Sequence, residues 1–412
     1  MTKSGKIHLV IIGALNFPRG SASSSRITAY SKGIIDNGGK VTIICLRPLG
    51  INSWGEGEIQ ASANINGINY IYTPGITVRP KSLFRRIFYE LKGYLNSFPI
   101  LFKLNRTNPI DAFLFYGTGA IYELFATGLA KILKAPVIRE RSEYPFFDRT
   151  IFTNKIRALF HERIQVKLYD GMFIISKALE NYYKVLIKKN TRYLMIPILV
   201  DTSRFENIKA SNIYGKYIAY CGDPAGNKDG VPILIEAFSK IVSKHPEHKL
   251  LIIGDSTDKS ILPNLKALVQ KLNIAEKVSF TGKIPAEDMP GYLCNASVLA
   301  LARPRNIQAA YGFPTKLGEY LSTGNPVVVT DVGEIGEFLT DSETAYISEP
   351  DSPEKFAAKL DQALTDPQRA RIVGLSGKAV AVNNFSYGKH GQRMVKFIID
   401  LNTKNFGYKG SL

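Results

Sequence analysis

The stretch Tyr311-Gly312-Phe313-Pro314-Thr315-Lys316-Leu317-Gly318-Glu319 gathers glycines, a proline, a hydroxyl, a cation and a carboxylate into one short run. The β-branched run Pro326–Thr330 follows, so the segment between reads as a short helix that stops at Gly324. A helix N-terminus presents unpaired N–H groups and the positive end of its dipole, which suits a phosphate. Gly312 removes a side chain where such a group must approach the backbone, and Pro314 fixes the approach. Thr315 can cap the helix or give its hydroxyl to phosphate. Glu319 lies four residues further on, on the same face; a carboxylate there repels phosphate but accepts both hydroxyls of a ribose. These residue types outline a nucleotide-diphosphate seat, although any αβ turn can carry Gly and Thr.

Such a seat needs strands to hold it. "KIHLVIIGAL", "KVTIICL", "AFLFYG", "APVIRE" and "GMFIIS" read as short buried strands in the first half, with helical stretches such as "RITAYSKGIIDNG" and "AIYELFATGLAKILK" between them. "KYIAYCG", "KLLIIG", "KVSFTG", "ASVLALA" and "NPVVVT" repeat the pattern in the second half. Near-continuous apolar strands separated by helices imply an α/β fold with parallel sheets covered on both faces. A length of 412 residues suits two such domains with a cleft between them. The aperiodic stretch Met195–Tyr217 contains the expected linker, giving domains at 1–205 and 206–385. The tail 386–412 reads as a helix whose Met394, Phe397, Ile398 and Leu401 share a face.

Composition narrows the setting. The chain is 45% hydrophobic and 21% charged, as in soluble globular proteins. Cys45, Cys221 and Cys294 are scattered and form no CxxC, which fits a reducing cytosol. The N-terminal apolar run is read as a buried strand rather than an export signal, and no window offers a membrane span. The net charge of +18 is uneven. Arg79, Lys81, Arg85, Arg86, Lys92, Lys103 and Arg106 face one acid, Glu90, within "SLFRRIFYELKGYLNSFPILFKL" and its flanks. Basic residues interleaved with aromatic and aliphatic ones suit the face of an anionic bilayer. They also suit a solvated helix packed on its own domain; nucleic acid is disfavoured because no binding motif accompanies the charge.

The order of segments carries more than any one of them. "DGMFIISKALENYY", "IPILVDTSRF", "YCGDPAGNKDGVPILIEAF", "LLIIGD", "VSFTGKIPAEDMPGYLCNASVLALARP" and "GFPTKLGEYLSTGNPVVVTDVG" resemble, in order and spacing, the segments of glycosyltransferase family 4. Those are retaining enzymes of the GT-B fold: two Rossmann-like domains facing each other across a cleft, with a C-terminal helix returning to the N-terminal domain. The resemblance implies that the C-terminal domain binds a nucleotide-diphosphate sugar of UDP or GDP type and the N-terminal domain the acceptor. Gly312, Phe313, Pro314 and Thr315 would hold the diphosphate or sugar, and Glu319 the ribose. Lys228 matches the lysine that neutralises the diphosphate leaving group, where a cation stabilises charge that grows as the bond breaks. Gly222 belongs to the same strand–loop segment. Gly13 and the loop Phe17–Arg26 match the N-terminal loop facing donor or acceptor, with Arg19 and Arg26 either functional or merely solvated. Retention is assigned to front-face displacement, in which the departing phosphate assists the incoming hydroxyl, so no nucleophile is named.

The departures are specific. The first glutamate of the family's E-x7-E motif falls at Tyr311, and Lys316 belongs to an "FP.K" variant that also lacks it. Asp223 stands where an arginine is usual, leaving Arg303 or Arg305 to supply a second diphosphate cation. The frequent N-domain histidine is replaced by Tyr116 and Thr118. Glu140 and Glu143 are either cleft residues or partners of Arg139 and Arg141. There is no Asp-x-Asp, the five histidines suggest no ligand cluster, and His245 and His248 read as surface residues. No metal or cofactor is therefore expected; a lysine and a helix dipole suffice for a diphosphate. The reading is a metal-independent hexosyltransferase acting on a saccharide or lipid-linked saccharide in bacterial cell-surface polysaccharide synthesis, cytoplasmic and held at the inner membrane face. A non-catalytic GT-B binding subunit is the alternative, and Tyr311 and Asp223 support it. A sugar-nucleotide epimerase lacks its acid–base residues here, and a pure charge-driven surface binder would ignore Glu319.

Overall fold

The computed structural model describes residues 7–18, 22–48, 59–117, 119–145, 152–209, 214–225, 228–256 and 258–405. The chain forms two compact units, one running to Leu199 and resuming at Tyr387, the other spanning Val200–Ser386. The sequence reading drew these divisions at 205/206 and 385/386.

The strands of the first unit are β1 (His8–Gly13), β2 (Lys40–Cys45), β3 (Ser62–Ile65), β4 (Ile68–Tyr72), β5 (Ala112–Tyr116), β6 (Val137–Arg141), β7 (Gly171–Ile174) and β8 (Arg192–Met195). They lie in the order β3-β4-β2-β1-β5-β6-β7-β8. All pairings are parallel except the β3/β4 hairpin, whose turn places Asn66 and Gly67 at positive φ. The parallel strands β1, β5 and β7 are buried throughout, which explains their unbroken apolar runs.

The second unit holds β9 (Lys216–Cys221), β10 (His248–Ile253), β11 (Val278–Gly282), β12 (Val298–Leu301), β13 (Val327–Thr330) and β14 (Tyr346–Ser348). Their order is β11-β10-β9-β12-β13-β14, all parallel. In each sheet the chain winds outward from one strand and then returns to that strand's other side. The reversal lies between β1 and β5 in the first unit and between β9 and β12 in the second. Loops at the carboxyl ends of such strand pairs diverge and leave a crevice, the usual ligand position in open α/β sheets.

The C-terminal helix Tyr387–Asn405 belongs to the first unit, as the expected fold requires. Its Met394, Phe397, Ile398 and Leu401 join the core with Leu9, Ile11 and Phe173, and the rings of Phe173 and Phe397 lie 5.7 Å apart. Four apolar side chains on one helical face thereby tie the end of the chain to its first strand.

Candidate functional site

In the second unit the chemistry-bearing residues gather at the carboxyl ends of β9 and β12. β9 ends in Tyr220 and Cys221, and the chain leaves it through Gly222 at φ +151°. A Cβ on Gly222 would sit 2.1 Å from Nζ of Lys316, so only glycine leaves that ammonium its place. Lys316 lies in the first turn of the helix Thr315–Thr323 and forms an ion pair with Asp229. The same ammonium lies 3.2 Å from the Tyr220 hydroxyl and 4.6 Å from the centre of that ring. The Tyr220 hydroxyl donates to Asp229 Oδ2 at 2.9 Å. Burial raises the Asp229 carboxyl, but the attraction of Lys316, with Arg303 behind it, outweighs this and holds it below the ordinary carboxylate range.

Asp229 escaped the sequence reading, which attended to its neighbour Lys228. Lys228 itself is exposed, and its carbonyl accepts from Arg303 Nε at 3.1 Å. Arg303 departs from its expected role. Its side chain is 2% exposed, with Nε 3.7 Å from Asp229 Oδ1, so it supports the loop rather than reaching over it. Arg305 is the exposed one of the two candidates. It lines a cavity of about 120 Å³ with Asn306, Ala309, Ala310, Asp331, Val332 and Gly333. That volume is below the several hundred Å³ of a small-molecule site, so the cavity admits only part of a ligand. Asp223 is exposed and turns back on its own loop, Oδ1 accepting from the Ala225 N–H at 2.8 Å.

The Tyr311–Glu319 stretch is two helices, not one. Ile307–Tyr311 is a short helix closed by Gly312, whose N–H bonds to the Gln308 carbonyl at 3.0 Å. Thr315 begins the next helix and does not cap it; Pro314 occupies the cap position, and no side chain caps this end. Phe313 is buried among Phe338 and Phe385, with ring centres 5.4 and 5.6 Å away, so its side chain belongs to the core. Tyr311 is half-buried. Glu319 pairs with Arg204 Nη1 at 3.2 Å, and Arg204 Nη2 also donates to the Ala286 carbonyl at 3.0 Å. Burial raises the Glu319 carboxyl above its ordinary value, with Arg204 and then Lys316 opposing. Its side chain is nevertheless 28% exposed, which leaves the carboxylate reachable from solvent. Arg204 was also missed; its signal was its place in "IPILVDTSRF", inside the expected linker stretch.

The first unit holds a different set of charges. Gly13 ends β1, where a Cβ would lie 2.0 Å from the Tyr116 carbonyl oxygen, so the glycine is required by its neighbouring strand. Arg26 is neither solvated nor open. It is 3% exposed and bonds to Glu140 Oε1 at 2.9 Å and to the carbonyls of Pro197 and Ile196. Glu140 therefore pairs with Arg26, not with Arg139 or Arg141. Those two arginines face Glu123, at 3.0 and 3.8 Å. His161, Gln165 and Tyr169 complete that buried network, with Gln165 Nε2 donating to Glu123 Oε2 at 3.1 Å and Nδ1 of His161 3.1 Å from Gln165 Oε1. Tyr116 is buried. Arg19 and Thr118 lie outside the described residues.

His245 and His248 are buried rather than on the surface, and with Glu247 they place ligand atoms within 4.8 Å of one another. His245 Nε2 lies 2.7 Å from Asp361 Oδ1, and Lys244 bonds to the same carboxylate at 2.6 Å. This cluster sits at the start of β10, the opposite end of the strand from the crevice. Its contacts join the helix Pro353–Thr365 to the sheet.

Two α/β units with parallel sheets define a GT-B architecture, and solved structures agree. A sucrose-phosphate synthase from Thermosynechococcus elongatus superposes with a TM-score of 0.72 at 15% identity, over 97% of this chain and 100% of its own. Anabaena HepE in complex with UDP-glucose superposes with a TM-score of 0.65 at 12% identity, over 96% and 100%. Residues 215–366, most of the second unit, match the family Glycosyl transferases group 1. The GDP-mannose-dependent alpha-(1-6)-phosphatidylinositol monomannoside mannosyltransferase of Mycolicibacterium smegmatis is 26% identical over 215 residues, 49% of this chain and 55% of its own length. The chain spans about half the length of the curated relatives it matches.

Proposed function

We propose that this protein is a retaining glycosyltransferase that moves a hexose from a nucleotide-diphosphate donor to a saccharide or lipid-linked saccharide. The donor would sit in the second unit. One observation carries the reading: Gly222, Lys228, Arg305, Lys316 and Glu319 converge on the carboxyl ends of β9 and β12, where the sheet order reverses. Lys228 is the exposed cation at the loop that would face a diphosphate, and it stabilises the charge released on the leaving group. Glu319 accepts the ribose hydroxyls. Asp229 holds Lys316 against the loop and so fixes the spacing between the two. No metal is needed where a lysine and a helix N-terminus share the charge.

The relatives name both donor types in view: GDP-mannose for the mycobacterial mannosyltransferase, UDP-glucose for the Anabaena structure. Cell-surface polysaccharide or glycolipid synthesis, on the cytoplasmic side and at the inner membrane face, is the setting that fits such an acceptor. The non-catalytic alternative draws on Tyr311 in place of the motif glutamate and on a Lys316 already committed to Asp229.

Calorimetric titration with UDP, GDP and ADP, without added metal, tests the seat. Binding of one nucleotide that Glu319→Ala weakens at least tenfold supports it, and transfer assays with that donor's sugars then separate enzyme from subunit. No binding of any nucleotide would overturn the donor seat and leave the binding-subunit reading.

A further inference from the structure

The helix Leu83–Thr107 is held to its unit by a narrow face. Gly93, Ser97 and Leu101, four residues apart each time, are its buried positions. A Cβ on Gly93 would meet the Leu46 carbonyl oxygen at 2.1 Å, so the helix lies directly on the backbone there. Phe98 and Tyr94 lean on Phe125 of the helix Ala120–Ile132, at ring distances of 5.2 and 4.9 Å. All these contacts are made from residue 93 onward. The ten residues before it contain no buried position.

The opposite face is apolar. Phe84, Phe88, Leu91, Leu95 and Phe102 follow one another at spacings of four, three, four and seven, which place them in one stripe at 3.6 residues per turn. Their exposures are 80, 53, 58, 68 and 37%, and Ile87 beside them is 52% exposed. Arg85, Lys92 and Lys103 fall seven and eleven residues apart, so they run along one flank of that stripe. Glu90 is the one acid in the helix. A soluble surface rarely exposes so many large apolar side chains together, and a stripe of this kind marks a surface that is covered in use. Its flanking charge selects what covers it. Apolar side chains dip below headgroups while a row of cations stays at the level of anionic phosphates.

We infer that the stripe Phe84-Phe88-Leu91-Leu95-Phe102 inserts into an anionic lipid surface, with Arg85, Lys92 and Lys103 contacting the headgroups. This deepens the proposed location at a membrane face and is independent of the transfer chemistry, since vesicle binding and nucleotide binding are read separately. The helix lies along the membrane plane, because the apolar stripe runs from Phe84 to Phe102, most of its length, rather than capping one end. Among the described residues no helix is long and apolar enough to cross a membrane.

The test is co-sedimentation of the full chain with vesicles of phosphatidylcholine alone or with 30% phosphatidylglycerol. The expected result is at least tenfold stronger binding to the anionic vesicles, weakened severalfold by 0.5 M salt. Phe84→Ser/Phe88→Ser/Leu91→Ser should reduce that binding at least tenfold while nucleotide affinity and the unfolding midpoint stay unchanged, since all three side chains are exposed. Arg85→Glu/Lys92→Glu should remove the preference for anionic lipid. Two results overturn the inference: equal binding of the triple variant and wild type, or a wild-type dimer in solution that the triple variant dissolves, which would make a second copy the occupant of the stripe.

Discussion

Two clusters of charge, similar in residue type, are built to opposite purposes. Around Glu123 in the first unit, Arg139, Arg141, His161, Gln165 and Tyr169 are all at least nine-tenths buried, and each is spent on another protein group. Around Asp229 in the second unit the inner partners are equally buried, but the outer ring is open: Lys316 is 18%, Glu319 28% and Arg204 36% exposed. A closed network can contribute to folding alone. An open one, at the carboxyl ends of strands whose order reverses, keeps groups that a ligand can reach.

The largest effect should come from breaking the closed cluster. Glu123→Ala leaves two buried guanidinium groups without their carboxylate, and loss of one partner of a buried ion pair costs about 3–5 kcal/mol. Urea unfolding should show that loss, and nucleotide affinity should survive in whatever fraction stays folded. A near-neutral variant would mean that the network is wetter than its burial indicates, and the contrast between the clusters would fail.

Asp229→Asn comes next. It leaves Lys316 facing a neutral amide, and losing a charge-assisted hydrogen bond of this kind costs about 1.5–3 kcal/mol. The pH dependence has a definite sign. Asp229 has a folded-state value below its ordinary 3.8, so its contribution is complete above that value and disappears as pH falls through the depressed one. The wild-type urea midpoint should therefore drop more steeply below about pH 4 than that of Asp229→Asn. Parallel curves would show that Lys316 does not hold the carboxylate ionised.

The outline of both units was legible because buried parallel strands announce themselves as apolar runs. What stayed hidden was what periodicity does not mark. β3 is mostly exposed, β14 has three residues, and β8 has no buried position. The β3/β4 hairpin did carry a signal, since Asn66-Gly67 between apolar residues is the sequence of a two-residue hairpin turn, and the reading passed over it. At the site, the sequence order brought Lys228, Lys316 and Glu319 into view but not their partners. Asp229 binds a residue 87 positions away, and Arg204 one 115 away, so neither pairing has a local trace. Likewise nothing in "RERSEYP" tells that Glu140 turns to Arg26 while Arg139 and Arg141 turn to Glu123. Burial of His245 was equally non-local, because Asp361 makes it possible.

Glu319→Ala should act on the ligand rather than on the fold. Tenfold weaker nucleotide binding is about 1.4 kcal/mol. The unfolding free energy should change by less than that, because the side chain's ion-pair partner, Arg204, is itself 36% exposed. Since the carboxyl is raised above its ordinary 4.5 and must be ionised to accept two hydroxyls, affinity should begin to fall at a pH above that value. An unchanged affinity would transfer Glu319 to the structural class represented by Glu123.

The smallest effect, and the sharpest separation, belongs to Arg204→Ala. The Arg204–Glu319 pair is partly exposed, so its removal should cost no more than about 1 kcal/mol of stability. Yet Arg204 is the first of the two cations that hold the Glu319 carboxyl down against burial. Without it the carboxyl rises further, and the acid limb of nucleotide binding should move to higher pH while the urea midpoint stays nearly fixed. The corresponding change in the closed cluster, Arg139→Ala, should do the reverse: a large loss of stability and no movement of the acid limb. If Arg204→Ala shifts stability but leaves the pH profile of binding where it was, then its pairing with Glu319 serves the fold, and the open cluster differs from the closed one only in exposure.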